Sequence, residues 1–400
     1  MAQQPGTPFT GASPAQIDLI GTISISLMTI GAPFVVAWAK RLTPFAVSFS
    51  GGIMFGLSLI LASFGTRLWH FQLTQGLLMG LGTSSSYMVA VTVAPAWFKV
   101  HRGLAMGIIL SGTGVGGLVW APALKACIDG IGFRNTLRLT GGISVALIAP
   151  ASCALSWEPR TRAQLEVERT ARVSRMDGVL KVPLVDARIA RTRKFAAQAV
   201  GAIFQAGAYY TPVFFFASFA STLGYSATAG ANFIAISNAC NAVGKIIIGF
   251  ASDHVGRLNT LLLTTLISAV ATFGFWLPST VSQEESSSRS LFVTFTIFYG
   301  IFASAYVSLF PATLLELFGV QNFASVNGVL YMVRGMATLV GTPVGGLLIR
   351  RSAANIGPQS FEGMSILVAT LLSAATLAVL WVRIEAMVGA DGKLQWLWKL

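Results

Sequence analysis

FASVNGVLYMVRGMATLVGTPVGGLLI, residues 323–349, decides how the rest of the chain is read. The stretch is long and apolar enough to cross a bilayer as one helix, since roughly 20 residues suffice at about 1.5 Å each. Near its middle stands Arg334. A cation at that depth costs about 2.5–3.5 kcal/mol on insertion scales unless it faces a bundle interior or a watery cavity. A second cation, Lys245, lies inside another apolar stretch, and the interiors of these stretches hold no Asp or Glu. The two charges invite one reading above others: a solute neutralises them.

Working outward, the composition agrees with a membrane chain. Hydrophobic residues make up 54% and charged residues only 10%, against about 25% charged in soluble domains. The net charge of +13 is concentrated in short loops and one central linker, which is a membrane protein's footprint. No stretch interleaves basic and aromatic residues as an RNA-binding surface does, so no nucleic-acid partner is expected. The scattered Cys127, Cys153 and Cys240 form neither a disulfide framework nor a zinc site. A Walker A loop, a G-x-S-x-G elbow and a metal-spaced His cluster are all absent from the sequence. Enzymatic chemistry and a resident cofactor or metal are therefore not expected. Residues 1–15 lack the features of a cleaved signal peptide.

The same length rule gives eleven candidate spans, at roughly 17–39, 44–65, 69–95, 103–124, 134–157, 195–219, 229–251, 257–278, 291–313, 323–349 and 364–383. They divide into a first helix bundle within residues 1–157, a charged linker at 158–194, and a second bundle with a short tail at 195–400. One alternate set of loops, containing Lys40, Arg41, Lys99, Arg102, the linker, Arg257 and the tail, holds 18 cations, and the opposite set holds six. The excess puts the linker and C-terminus in the cytoplasm. Eleven spans then place the N-terminus outside. The tail Leu394–Leu400, with two Trp and a Lys, reads as an interfacial anchor.

Residues 111–117, SGTGVGG, and 340–346, VGTPVGG, share five of seven positions at an offset of 229. An internal repeat follows, with small residues that let helix backbones approach closely. The first copy lies in the fourth span of its half and the second in the fifth. The halves match if the first lacks an opening helix, through gene-model truncation or real loss.

Three motifs carry a family resemblance. Gly249-Phe-Ala-Ser-Asp253-His-Val-Gly256-Arg257 resembles the G-x-x-x-D-x-x-G-R signature of the major facilitator superfamily. Asp253 would sit at the start of the next helix, at the positive end of its dipole, or latch cations of neighbouring helices. An ordinary charged loop is the bland alternative. The first-half counterpart around Lys40 and Arg41 has no acidic residue. The run Ala96-Trp-Phe-Lys99-Val-His-Arg102-Gly-Leu-Ala-Met-Gly107, followed by Gly112 and Gly116, is similar to the fifth-helix motif of the monocarboxylate-porter branch. Its cations would line the cytoplasmic mouth and its glycines a sliding helix contact, with plain packing as the alternative. In Asn241-Ala-Val-Gly-Lys245, the resemblance places Asn241 where that branch often has an acid, and Lys245 where it has a substrate-binding arginine.

The resemblance, closest to fungal monocarboxylate-porter-like proteins, implies an all-α integral membrane protein of two pseudo-symmetric bundles, missing its first helix. It implies a secondary transporter that moves a small organic anion by alternating access, the halves rocking around a midplane site, in a multi-pass protein of the plasma membrane. Arg334, Lys245 and Asn241 would hold the anionic group, with Gln205, Tyr87 and Tyr299 completing the pocket. Proton coupling stays open, because Asn241 is not an acid. Lys245 snorkelling to the interface about 12 Å away, and Arg334 bonding carbonyls of a neighbouring helix, are the structural alternatives. An efflux carrier for a bulkier, largely neutral metabolite, or a transport-inactive sensor or truncated product, are the functional ones.

Overall fold

A computed structural model describes residue 9 and residues 14–170, 185–349 and 356–387 of the chain. The middle of the linker, Arg350 and Arg351, and the proposed Trp-rich tail anchor lie outside the described residues. All regular structure within them is helical. In order, the helices are α1 (Pro14–Ile30), α2 (Ala32–Arg41), α3 (Pro44–Ala62), α4 (Leu68–Trp97), α5 (Arg102–Ile131), α6 (Phe133–Cys153), α7 (Pro159–Thr170), α8 (Ala187–Ala190), α9 (Arg193–Thr222), α10 (Ala227–Val255), α11 (Arg257–Val281), α12 (Glu285–Leu347) and α13 (Pro358–Met387).

Nine helices among the described residues are long and apolar enough to cross a membrane. A further pair, Leu19–Ile30 and Ala32–Arg41, is bent by 45° and passes as one broken span. The 63 residues of α12 hold two helices joined at Gly319, whose φ of 72° and ψ of 164° leave the helical region. Glycine alone adopts that conformation without a steric penalty. Divided there, and with the bent pair taken once, the described residues hold the eleven spans expected from the sequence. Local chemistry explains the boundaries. Thr43 caps α3 by accepting from the Ala46 amide, and Pro44 supplies the first helical turn. Thr192 and Ser226 cap α9 and α10 in the same way.

Two compact units emerge. One comprises residues up to Trp97 with Leu124–Asp186 and Leu314–Leu339, and the other Phe98–Ala123, Ala187–Thr313 and the chain from Val340. In the second unit α9 packs extensively against α13. Its core is aromatic: Phe219 meets Phe292 at 4.9 Å and Phe361 at 5.3 Å between ring centroids, and Trp276 stacks on Phe295 at 5.1 Å. In the first unit α3 packs on α6 through glycines; a Cβ on Gly141 would lie 2.7 Å from the Gly56 carbonyl oxygen. Many buried hydroxyls are satisfied within their own helices, as where Thr264, Thr265 and Ser268 of α11 donate to carbonyls three or four residues back. Large apolar side chains such as Leu57, Ile247 and Leu377 are left exposed, as a lipid-facing surface requires. Arg138, a cation inside α6, donates to the Ser63 hydroxyl at 3.0 Å and lies 4.8 Å from the Phe64 ring centre.

The two copies of the repeat differ in what they touch. Gly341 is pressed against Gly207 of α9, so that an added methyl would stand 2.6 Å from the Gly207 Cα, and Gly345 faces the Thr211 methyl. Their counterparts Gly112 and Gly116 have open space or only Trp120 of their own helix. Opposite signs follow for one substitution. Gly341→Ala should lower the melting temperature of the purified protein, because overpacking against rigid backbone costs about 1–3 kcal/mol. Gly112→Ala should leave it unchanged or raise it, since alanine gains about 1 kcal/mol over glycine in a helix. Equal melting of the two variants would contradict this asymmetry.

Candidate functional site

The helix crossing that carries the motifs is that of α5 and α10 in the second unit. Its close approach is made of glycine. A Cβ on Gly103 would lie 2.5 Å from the Gly249 carbonyl oxygen, and one on Gly114 would lie 2.5 Å from the Asn238 carbonyl oxygen. Gly107 is pressed against the backbone of Lys245. The glycines of this contact are therefore Gly103, Gly107, Gly114, Gly117 and Gly249, while Gly112 and Gly116 point elsewhere.

At one end of the crossing stands Asp253. It lies in the last turn of α10, and Gly256, with φ of 104°, breaks the chain before Arg257 opens α11. The expectation that its carboxylate sits at the start of the next helix is corrected here. It caps α5 instead, accepting from the Gly103 amide at 2.8 Å and the Leu104 amide at 2.9 Å. Those amides belong to the first turn of α5, where backbone donors have no partner within the helix. Arg257 donates to the same carboxylate through Nε at 3.1 Å and Nη2 at 2.8 Å, and reaches the Val100 carbonyl at 3.3 Å. Arg102 folds back on the Phe98 carbonyl at 3.0 Å, and Lys99 is exposed.

Two turns back along α10 from Asp253, Lys245 is 2% exposed. Its ammonium does not snorkel. It donates to the Leu110 carbonyl at 3.1 Å and the Thr113 hydroxyl at 2.7 Å, both on α5. Neither partner is charged. One turn back on α10, the Asn241 Oδ1 is buried without a hydrogen bond among the described residues. On α9, Gln205 is 1% exposed with neither amide atom hydrogen-bonded, and Gln198, seven residues earlier, is in the same state. Tyr299 is fully buried in the aromatic core; it donates to the Tyr209 carbonyl at 2.9 Å and packs on Phe295 at 5.1 Å.

The first unit holds the other candidates. Arg334 is 4% exposed, with its guanidinium carbon 5.8 Å from the centre of the Tyr331 ring. Asn327 and Tyr331 precede it at intervals of four and three, so the three share one helix face, and Asn327 donates to Thr92 of α4 at 3.1 Å. Tyr87 lies in a π-helical turn, Ser84–Met88, and lines a cavity of about 370 Å³ with Ser48, Phe55, Ser86, Ile148 and Ser152. Such turns cluster at functional sites. Arg334 and Tyr87 thus belong to one unit, and Lys245, Asn241, Gln205 and Tyr299 to the other.

Thr113, Asn327 and Thr92 were not singled out from sequence. A threonine or asparagine in an apolar helix is common, and only the cation or hydroxyl opposite each one marks it.

Known proteins give this geometry a context. The chain is 25% identical over 346 residues to the MFS-type transporter pynF of Aspergillus niger, covering 85% of this chain and 74% of that protein. It is 27% identical over 365 residues to the MFS-type transporter hasB of Aspergillus fumigatus, covering 87% and 77%. With the agnestins efflux protein AgnL12 of Paecilomyces divaricatus it shares 24% over 378 residues, covering 94% and 80%. The crystal structure of the human organic anion transporter MFSD10 (TETRAN) superposes with a TM-score of 0.62 at 13% identity, over 91% of this chain and 83% of that one; this likeness is one of fold. The model of the Major Facilitator Superfamily matches residues 8–282 and 199–392. A multi-pass, all-helical membrane chain with these relatives is a transporter and not an enzyme, and it belongs to the Major Facilitator Superfamily.

Proposed function

We propose that this transporter carries a small organic anion by alternating access, with Arg334 and Lys245 supplying its affinity for negative charge. One observation supports the reading above others: two cations, at 4% and 2% exposure, are buried in apolar helices. The carbonyl and hydroxyl that hold Lys245 leave its charge uncompensated. Buried charge of this kind is retained where a pathway or ligand uses it. Asn241, Gln205 and Tyr87 would add hydrogen bonds and contact, and Tyr299 would support them from the core. Within the superfamily, the run from Ala96 to Gly107 favours the monocarboxylate-porter-like branch, with residues 14–41 corresponding to the second span of a six-span half. The distribution of cations favours the linker and C-terminus inside, in a protein that we place in the plasma membrane; cleavage of the linker by protease outside intact cells would reject that orientation.

The test is uptake into vesicles holding purified protein, using benzoate, lactate and succinate, each beside its uncharged amide. Saturable uptake of at least one acid, uninhibited by its amide, is the expected result. Equal handling of acid and amide throughout would sink the anion reading. It would favour a second one, export of a bulkier and largely neutral metabolite. That alternative draws on the relative named as an efflux protein and on the largely apolar cavity beside Tyr87.

A further inference from the structure

We propose that Thr113 of α5 is the positioning residue for Lys245, holding its ammonium in place while leaving the positive charge intact. The arrangement is a closed triangle. The Thr113 hydroxyl donates to the Leu110 carbonyl at 2.8 Å, which turns its lone pairs outward. Lys245 donates to both the Thr113 oxygen, at 2.7 Å, and the same Leu110 carbonyl, at 3.1 Å. An ammonium has three donors, so two are fixed by α5 and the third is not engaged among the described residues. A carboxylate in place of Thr113 would neutralise the cation, and an aliphatic residue would release a long side chain with much rotamer freedom. A hydroxyl does neither. The close glycine contact makes this possible, because Gly107 and Gly114 bring the α5 backbone against α10 on either side of Leu110.

In the second copy of the repeat the counterpart of Thr113 is Thr342. Its hydroxyl is buried without a hydrogen bond among the described residues. The threonine is thus present in both copies, and in the first it has acquired a cation from another helix.

The inference rests on the anion reading only for its consequence, not for the contact, and the experiment separates the two. Thr113→Val, Thr113→Ser, Lys245→Met and the Thr113→Val/Lys245→Met pair are purified. Melting temperature is measured without solute, and KM for the best-transported acid of the panel is measured with it. Loss of one charge-assisted bond should raise KM about tenfold in Thr113→Val. Thr113→Ser should restore it, and Thr113→Val should add nothing once Lys245 is methionine. Melting temperatures should show the same non-additivity. A purely structural threonine would shift melting equally in both backgrounds with KM unmoved, and that result overturns the proposal. Should Lys245→Met leave KM unchanged while melting remains non-additive, the positioning contact stands and the anion-binding role of Lys245 falls.

Discussion

Arg334→Leu should abolish most anion transport without unfolding the protein. The argument is one of sign. Replacing a cation at mid-helix with leucine removes a group that costs about 2.5–3.5 kcal/mol to bury in the membrane, so melting temperature should hold or rise. If the guanidinium meets the solute's anionic group, kcat/KM for the acid should fall about 100-fold, equivalent to about 3 kcal/mol. Arg334→Lys should fall between, because an ammonium keeps the charge but loses the planar fork that grips a carboxylate in two places. The structural alternative, in which Arg334 ties neighbouring helices together, predicts another pattern: lower melting temperature and equal losses for charged and neutral solutes. Wild-type rate and affinity in Arg334→Leu would remove this residue from the site altogether.

How far the sequence carries can be judged from particular residues. The spans were legible because hydropathy over about 20 residues is a one-dimensional property. The break between 291–313 and 323–349 was legible too, since Glu316, Gln321 and Asn322 interrupt the apolar run; that a single glycine of positive φ makes it, inside otherwise continuous helix, was not. The motif around Asp253 was visible, but its role was not. The carboxylate ends α10 and caps a helix that begins about 150 residues earlier in the chain. Lys245 likewise finds its partners 132 and 135 residues away. Local pattern cannot supply such pairs. Tyr299 shows the opposite error. A tyrosine on an apolar helix suggests a polar tip facing a cavity, yet Phe216, Phe295 and Tyr209 enclose it, and a backbone carbonyl satisfies its hydroxyl.

The asymmetry of the repeat has a related cause. Gly112 and Gly341 occupy equivalent positions in heptapeptides that share five of seven residues, and the shared residues do not say which glycine will be covered. The difference lies in α9, which carries Gly207 and Thr211 at the spacing that seats a helix on Gly341 and Gly345. Small residues permit close approach without specifying what approaches. Where the same permissive face has a partner it becomes intolerant of a methyl group, and where it has none it does not.

Asp253→Asn should be the most destabilising single substitution among the candidate residues. Four donors converge on this carboxylate: the amides of Gly103 and Leu104 and two nitrogens of Arg257. Its side chain is 3% exposed and that of Arg257 12%, so water cannot replace what is lost. Asparagine offers one oxygen where the carboxylate offers two, and its amide group would turn a donor toward other donors. Arg257 would also lose the carboxylate that two of its nitrogens grip. Breaking one side of such a pair costs about 3–5 kcal/mol. A clear fall in melting temperature is expected, with loss of folded protein at growth temperature. Because the two residues share one contact, Asp253→Asn/Arg257→Gln should be less unstable than the two single losses combined. The remainder belongs to the start of α5, whose first-turn amides stay uncapped in the double variant. If Asp253→Asn melted with the wild type, the carboxylate would be a surface charge like any other, and the tie between α5, α10 and α11 would carry no weight.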